Sequence, residues 1–236
     1  MRMIDIHCHL LFGVDDGSDS LNESRQMLAR AKEQGVRKII LTPHYRHGMF
    51  PYRLSEILEN FYKLEPYAKK MGIDLFLGCE YHMDSSCVEK LGSGRCLTMA
   101  DSHYVLTEYS HICEYSYIYS TTEEMIRNGY RPVIAHIERY PAITDHPERV
   151  KELRRLGAMI QVNADSVLGY EGRAAKKFCK KFLKEGDIDI VASDSHGIQN
   201  RVCNLGECRT YILRKYGAEA VKQVLYRNPS RILRDK

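Results

Sequence analysis

Residues 31–44 read AKEQGVRKIILTPH: a helical pattern, a glycine, a β-branched apolar run and a terminal histidine. A glycine just past a helix suits the left-handed C-terminal cap, which residues carrying a Cβ adopt reluctantly. The same grammar recurs at 68–80 (AKKMGIDLFLGCE), 124–136 (EMIRNGYRPVIAH), 152–163 (ELRRLGAMIQVN) and 182–194 (FLKEGDIDIVASD). The runs after Gly35, Gly72, Gly129, Gly157 and Gly186 are short and rich in Ile, Val and Leu, as strands buried on both faces are. Residues 3–7 and 104–108 add two more, giving seven predicted strands alternating with helices. That alternation predicts a parallel β/α architecture, either closed as a barrel or open as a doubly wound sheet.

The helical segments carry their own signals. In SEILENFYKLEPYAKKMG, Ser55 is the expected N-cap, Ile57, Leu58, Phe61 and Leu64 recur at helical spacing, and Pro66 kinks or divides the helix. RAAKKFCKKFLK places Ala175, Phe178, Cys179 and Phe182 on one stripe, so its lysines read as a solvated face. No Ser/Gly/Pro-rich linker interrupts the chain, and residues 1–236 are expected to form one domain.

Of 236 residues 44 % are hydrophobic and 28 % charged, a balance that suits a globular chain with a sizeable core. No apolar run approaches the ~20 residues that span a bilayer, so no membrane insertion is expected. The N-terminal MRMIDIHCHL lacks the basic region, apolar stretch and cleavage site of a signal peptide, which predicts a cytoplasmic protein. A net charge of +4, with basic and acidic residues interspersed, gives no support for a nucleic-acid partner. The eight cysteines contain no C-x-x-C pair and read as small buried hydrophobes in a reducing compartment.

The ends of the predicted strands are the most informative positions. They present His7 and His9, His44, Glu80, Glu108, His136, Asn163, and Asp194 followed by His196. In parallel β/α folds the C-terminal strand ends form one rim, so six of seven strands deliver a metal-competent side chain to the same place. Gathering so many imidazoles and carboxylates is costly unless cations neutralise them. Mixed His and Asp/Glu ligands suit Mn²⁺, Fe²⁺ or Zn²⁺, and with Asp16 of the Asp15-Asp16-Gly17 turn they exceed what one ion accepts, so two or three ions are expected. Cys8, between His7 and His9 in a strand-like H-x-H, is expected to face away from them. His82, His103, His111 and His146 lie off the strand ends and read as ordinary structural histidines.

The opening HCH with DDG, then TPH, GCE, HIERY and SDSHG, together resemble the polymerase and histidinol phosphatase (PHP) superfamily. Within it the chain is most similar to the manganese-dependent protein tyrosine phosphatases that regulate capsule and exopolysaccharide synthesis in bacteria, and the similarity runs from Met3 to the C-terminal RNPSRIL. The resemblance implies an α/β fold, a distorted (β/α)7 TIM-like barrel around a trinuclear centre, with Mn²⁺ as the expected metal. It implies that His7, His9, Glu80 and Asp194 hold one ion, bridging Glu80 with Glu108 and His136 a second, and Asp16, His44 and His196 a third. Asp16 is preferred to Asp15 because it directly precedes the turn glycine, as in other PHP sequences.

Ions of this kind lower the pKa of bound water from about 15.7 towards about 7, and Arg139 in HIERY and Arg201 after SDSHGIQN are the expected catalytic phosphate-gripping residues. The implied substrate is phosphotyrosine on a protein, expected to be a bacterial tyrosine kinase. Val202 follows Arg201 where relatives often have proline, and the YRHGMFPY loop after His44 lacks the His- and Asn-rich composition expected there. Other readings remain open: a different PHP phosphoesterase activity such as histidinol phosphate hydrolysis or nucleic-acid cleavage, a metal-binding scaffold without turnover, or a thiol-dependent tyrosine phosphatase built on Cys203, which with Arg209 satisfies C-x5-R.

Overall fold

All five motif glycines sit just past their helices in the left-handed region, from φ +73° at Gly72 to +117° at Gly157, and each delivers the chain into a parallel strand. The computed structural model describes residues 2–235. In chain order the elements are β1 (Met3–Asp5), α1 (Leu21–Glu33), β2 (Val36–Leu41), β3 (His44–Tyr45), α2 (Leu54–Met71), β4 (Asp74–Leu77), β5 (Glu80–His82), α3 (Cys87–Gly92), β6 (Tyr104–Glu108), α4 (Tyr115–Arg127), β7 (Arg131–Ile134), α5 (Pro141–Thr144), α6 (Arg149–Leu156), β8 (Met159–Asn163), α7 (Ala164–Leu168), α8 (Arg173–Glu185), β9 (Ile190–Ala192), α9 (Leu205–Lys222) and α10 (Asn228–Arg234).

The nine strands fill seven positions of a parallel ring, because two of the expected strands are each broken in two. The lower sheet runs β1-β2-β4 and the upper sheet β3-β5-β6-β7-β8-β9. One break falls at Thr42-Pro43, where proline has no N–H for the ladder. The other falls at Gly78-Cys79, where a Cβ on Gly78 would lie 3.2 Å from both Ile40 Cγ2 and Met99 Cα. Hydrogen bonds from Gly78 N to Leu41 O (2.9 Å) and Glu80 N to Pro43 O (3.1 Å) carry the pairing across both breaks.

Strand β1 is shorter than the 3–7 expected, because its closure onto β9 passes from backbone to side chain. Ser193 N donates to Asp5 Oδ1 (3.0 Å) and Ser193 Oγ to Asp5 Oδ2 (2.5 Å). Beyond that latch the backbone resumes, with Asp194 N bonded to His7 O and His9 N to Ser195 O, both at 2.9 Å. The ring is therefore closed and distorted. Its lower half is plugged by the turn Met99–Asp101 beside β4 and β6, and by Gln223–Arg227 with α10 beside β1 and β9.

Inside the ring, Ile4, Ile6, Ile40, Leu106, Val133, Ala135, Met159, Ile190, Ala192 and Ile232 form an apolar floor. On β6, β8 and β9 the inward residues continue at period two into Glu108, into Gln161 and Asn163, and into Asp194. Each strand thus passes from floor to rim, and the floor keeps water from beneath the polar cluster. A second core fills the space between ring and helices, including Leu28, Leu64, Ile118, Leu153 and Phe182.

Two local expectations are corrected or refined. Helix α2 begins at Leu54 with Arg53 as its N-cap, so Ser55 lies inside the first turn, and the helix continues unbroken through Pro66. On α8 Phe178, Cys179 and Phe182 of the expected stripe are buried and Ala175 half-buried; Lys177, Lys180, Lys181 and Lys184 are exposed, while Lys176 is half-buried and donates to Leu168 O at 2.7 Å. Among the described residues no helix is long and apolar enough to cross a membrane.

Candidate metal centre

Glu80 stands at the centre of the rim. Its Oε2 lies 3.2 Å from His7 Nε2, 3.2 Å from His9 Nε2 and 3.1 Å from His44 Nδ1, while Oε1 lies 2.9 Å from His136 Nε2. Four imidazoles, two from the segment after β1, one from β3 and one from just after β7, thus converge on one buried carboxylate. Burial alone would raise its pKa, but His7 and His44 beside it hold it well below the ordinary carboxylate range.

Around this pair of oxygens the remaining expected residues assemble. Asp194 Oδ1 is 3.3 Å from His7 Nε2, and Glu108 Oε1 is 3.9 Å from His136 Nε2. Asp16 Oδ1 faces both His44 Nε2 at 3.4 Å and His196 Nε2 at 3.6 Å. Ligand-type atoms lie within 4.8 Å of one another in four overlapping groups: His9-Asp16-His44-His196, His7-His9-Asp194, His7-Glu80-His136 and His44-Glu80-Glu108. Every residue expected at the centre belongs to at least one of them.

The donor set fits divalent cations for a further reason. Asp194 Oδ1, Glu108 Oε2, His44 Nδ1 and His196 Nε2 are buried without a hydrogen-bond partner. Unpaired buried lone pairs cost about 1–3 kcal/mol each, and here four point into one cluster. Glu108 is pushed up to about 7 by burial and by the neighbouring Glu80, which is the response of a carboxylate crowded by another. Burial and the adjacent His9 likewise lower His196 to about 3, so its ring is a neutral lone-pair donor.

Among the described residues, three of the five non-glycine residues with positive φ lie at the same rim, the other two being Ala100 and Asp101 in the lower turn. His136, Asp194 and Arg201 have φ of +31°, +50° and +48°, conformations that non-glycine residues hold only where surroundings over-determine them. Gly17 is required for a different reason: a Cβ there would lie 2.0 Å from His9 O. The DDG turn therefore lies flat against the second histidine of HCH.

Supporting contacts orient the rings. Asp15 does not join the ligand groups; its Oδ2 accepts from His9 Nδ1 at 2.8 Å and from His44 N at 3.0 Å, and its Oδ1 from Gly17 N at 3.0 Å. His196 Nδ1 donates to Asp194 O (3.0 Å), and His136 Nδ1 contacts Tyr140 Oη (3.2 Å). His7 Nδ1 meets Gln161 Oε1 at 3.1 Å. Each ring is thereby held so that its other nitrogen faces the cluster, the arrangement that supports metal-bound histidines. Asp15 enters the sequence reading only as the alternative to Asp16, and Tyr140, Gln161 and Glu171 are not read there as site residues; of these three Gln161 leaves a trace, as the one amide inside an otherwise apolar run.

Arg139 and Arg201 both reach the site. Arg139 Nη1 donates to Asp194 Oδ2 (3.0 Å), and its Nε and Nη2 clasp Glu171 at 3.1 and 2.6 Å. Arg201 Nη2 donates to the same Asp194 Oδ2 at 2.8 Å, with the rest of its guanidinium half open to solvent. His111, outside the rim, anchors Arg139 by donating from Nδ1 to its carbonyl (3.0 Å). Phe50, from the loop after β3, stacks on His44 at 5.0 Å.

Cys8 faces away from the histidines into the outer core, its Sγ 3.9 Å from Ile40 O. The Cys203 alternative is not supported. Cys203 is buried in that outer core, burial raises its thiol far from thiolate, and the residues from Leu205 to Arg209 are helical rather than a loop that wraps phosphate.

Residues 3–234 match the family described as capsular polysaccharide synthesis, CpsB/CapC. The chain is 37 % identical to the tyrosine-protein phosphatase CpsB of Streptococcus pneumoniae over 99 % of both chains, and 30 % identical to the tyrosine-protein phosphatase YwqE of Bacillus subtilis over 99 % of this chain and 92 % of that one. A solved structure from a study of YwqE and CpsB, described there as unique metal-dependent tyrosine phosphatases, superposes with a TM-score of 0.92 at 29 % identity, covering 99 % of this chain and 95 % of the other. A rim built from strand-end histidines and carboxylates, and a sequence matched from end to end, lead to one assignment: the chain belongs to the CpsB/CapC family.

Proposed function

We propose that this chain is a metal-dependent protein tyrosine phosphatase that hydrolyses phosphotyrosine in a protein, acting as one domain over residues 1–236. The observation that carries the proposal is the set of unpaired buried lone pairs on Asp194, Glu108, His44 and His196 gathered around Glu80. The tyrosine-protein phosphatases CpsB and YwqE, each matched over 99 % of this chain, support the substrate class.

In this reading His7, His9, Glu80 and Asp194 hold one ion, Glu80, Glu108 and His136 a second, and Asp16, His44 and His196 a third. Mn²⁺ is the proposed metal. When bound, such ions supply an activated water and offset the charge on the phosphoryl oxygens. The protein's part is positional. Asp194 uses Oδ2 to hold Arg139 and Arg201 at the rim, where their remaining N–H groups would grip the phosphate. Arg139 spends most of its donors on Glu171 and Asp194, so Arg201 supplies the freer grip. The leaving phenolate, with an unperturbed pKa near 10, needs less protonation than an alkoxide. We assign the phosphoprotein as a bacterial tyrosine kinase that controls capsule or exopolysaccharide synthesis, encountered in the cytoplasm.

Metal analysis paired with kinetics on a phosphotyrosine peptide tests the reading. Wild type is expected to carry two or three ions and turn over the peptide, and His136→Ala to lose both an ion and the activity. Preference for histidinol phosphate or single-stranded DNA in parallel assays would overturn the substrate assignment, and metal binding without turnover would leave a scaffold.

A further inference from the structure

Strand β8 is the one position of the ring that brings no metal-competent side chain to the rim. Its inward residues above Met159 are Gln161 and Asn163, 0 % and 1 % exposed. Two fully buried amides are costly unless every donor and acceptor is met, and here the donor and acceptor roles can be worked out one bond at a time.

The starting point is the backbone N–H of His136, which can only donate. It lies 2.9 Å from the Gln161 side chain, so the atom facing it is Oε1. The same oxygen lies 3.1 Å from His7 Nδ1, which must then carry the ring proton. His7 Nε2 is left as the nitrogen that faces Glu80 and Asp194 and that a metal would take. Gln161 Nε2 in turn donates to Asn163 Oδ1 at 2.9 Å. That link turns Asn163 Nδ2 towards Asp194 Oδ2, at 2.8 Å. With Arg139 and Arg201 this oxygen has three donors, while Oδ1 of the same carboxylate has none.

We infer that Gln161 and Asn163 are a positioning pair, a one-way relay of amides that holds His7 as the Nδ1–H tautomer and reserves Asp194 Oδ1 for the metal. The inference rests on the ligand assignment proposed above and not on the substrate. The relay has a polarity, and a carboxylate cannot replace the amide. In Gln161→Glu, the new carboxylate still accepts from His136 N and His7 Nδ1 but meets Asn163 Oδ1 acceptor to acceptor. Turning Asn163 over relieves that clash only by aiming its oxygen at Asp194.

The test is histidine-selective ¹⁵N NMR of the full chain, stripped with a chelator and then loaded with diamagnetic Zn²⁺, together with Mn²⁺ titration. Wild-type His7 is expected to show a protonated Nδ1 in both states. Gln161→Glu is expected to keep that tautomer and weaken Mn²⁺ binding about 10- to 100-fold, the range for supporting contacts around a metal. Gln161→Met, which removes the acceptor, is expected to lose the single His7 tautomer as well. Should Gln161→Met fail to fold, Gln161→Glu decides alone. Mn²⁺ affinity within twofold of wild type in Gln161→Glu, or a wild-type His7 protonated at Nε2, overturns the inference whatever the phosphatase assays show.

Discussion

Asp15 Oδ2 lies 2.8 Å from His9 Nδ1, and the same oxygen takes the backbone N–H of His44 at 3.0 Å. One carboxylate thus fixes two rim histidines without belonging to any of the ligand groups, while its neighbour Asp16 faces His44 and His196. The two aspartates of DDG have different tasks. Asp15→Asn is expected to keep the full number of ions but bind them about 10- to 100-fold more weakly, whereas Asp16→Asn is expected to lose one ion outright. Mn²⁺ titration with a count of bound ions separates the two, and equal stoichiometry in both variants would remove the distinction.

The two arginines at Asp194 should also part company. Arg201 is half open and makes one contact to the carboxylate, so Arg201→Ala is expected to lower kcat/KM on a phosphotyrosine peptide about 10²- to 10³-fold, with near-normal metal content. Arg139→Ala leaves Glu171 without its main cation and removes one of the two guanidinium donors on a buried oxygen of Asp194. It should lower metal affinity and melting temperature along with activity. Parallel kinetics, metal analysis and thermal melts would show this split, and identical behaviour of the two variants would count against it.

What the sequence discloses and what it withholds follow from the range of the forces involved. The helix-glycine-strand units are legible because the left-handed cap and the apolar run are local properties, as Gly72 and Gly157 show. The candidate ligands are legible because strands of one direction bring their ends to one rim. Asp5, Asp15 and Gln161 owe their roles to partners far along the chain or to a turn whose shape is tertiary: Asp5 meets Ser193, and Gln161 meets His7. Ser55 is a good capping residue by type, but α2 begins at Leu54, with Arg53 at the N-cap position making no side-chain capping bond. The shortening of β1 has a tertiary origin, since a side-chain latch replaces backbone pairing at Asp5.

A chelator and one cysteine variant separate metal from thiol chemistry. Cys203 is buried, its carbonyl accepts from Arg30 Nε at 3.2 Å, and it belongs to none of the ligand groups. Cys203→Ser is expected to keep wild-type kcat/KM and to lose about 1–3 kcal/mol of stability from an added buried hydroxyl. Chelation is expected to abolish activity in both proteins, with recovery on adding Mn²⁺. Activity that survives chelation, or vanishes in a folded Cys203→Ser protein, contradicts the metal assignment.

Metal loading should release protons. Burial pulls His7 and His9 down, but Glu80 and Asp194 beside His7, and Asp15 and Glu80 beside His9, raise both above the ordinary imidazole value of 6.5. Without metal these rings therefore keep their second proton to higher pH than an ordinary imidazole, and ligation at Nε2 must expel it. Binding is expected to release between about one and two protons per chain near neutrality, and affinity to climb as pH rises through the raised histidine values. Calorimetry in buffers of different ionisation enthalpy counts the protons. A buffer-independent heat would show that His7 and His9 are already neutral.

The turn that follows HCH gives a purely steric prediction. A Cβ at Gly17 would sit 2.0 Å from His9 O and 2.6 Å from His9 Cβ, while Ser18 N donates to that same carbonyl at 3.0 Å. Neither neighbour can yield cheaply: the carbonyl is backbone, and His9 is held from the far side by Asp15. Gly17→Ala must therefore displace the DDG turn or the histidine, at an expected cost of about 1–3 kcal/mol in denaturant unfolding. Because Asp16 rides on the displaced turn and His9 lies under it, Mn²⁺ affinity should fall at least tenfold even where the protein stays folded. Unchanged affinity in a folded Gly17→Ala protein would mean that the turn can move without moving Asp16 or His9, and the close approach would then carry no functional weight.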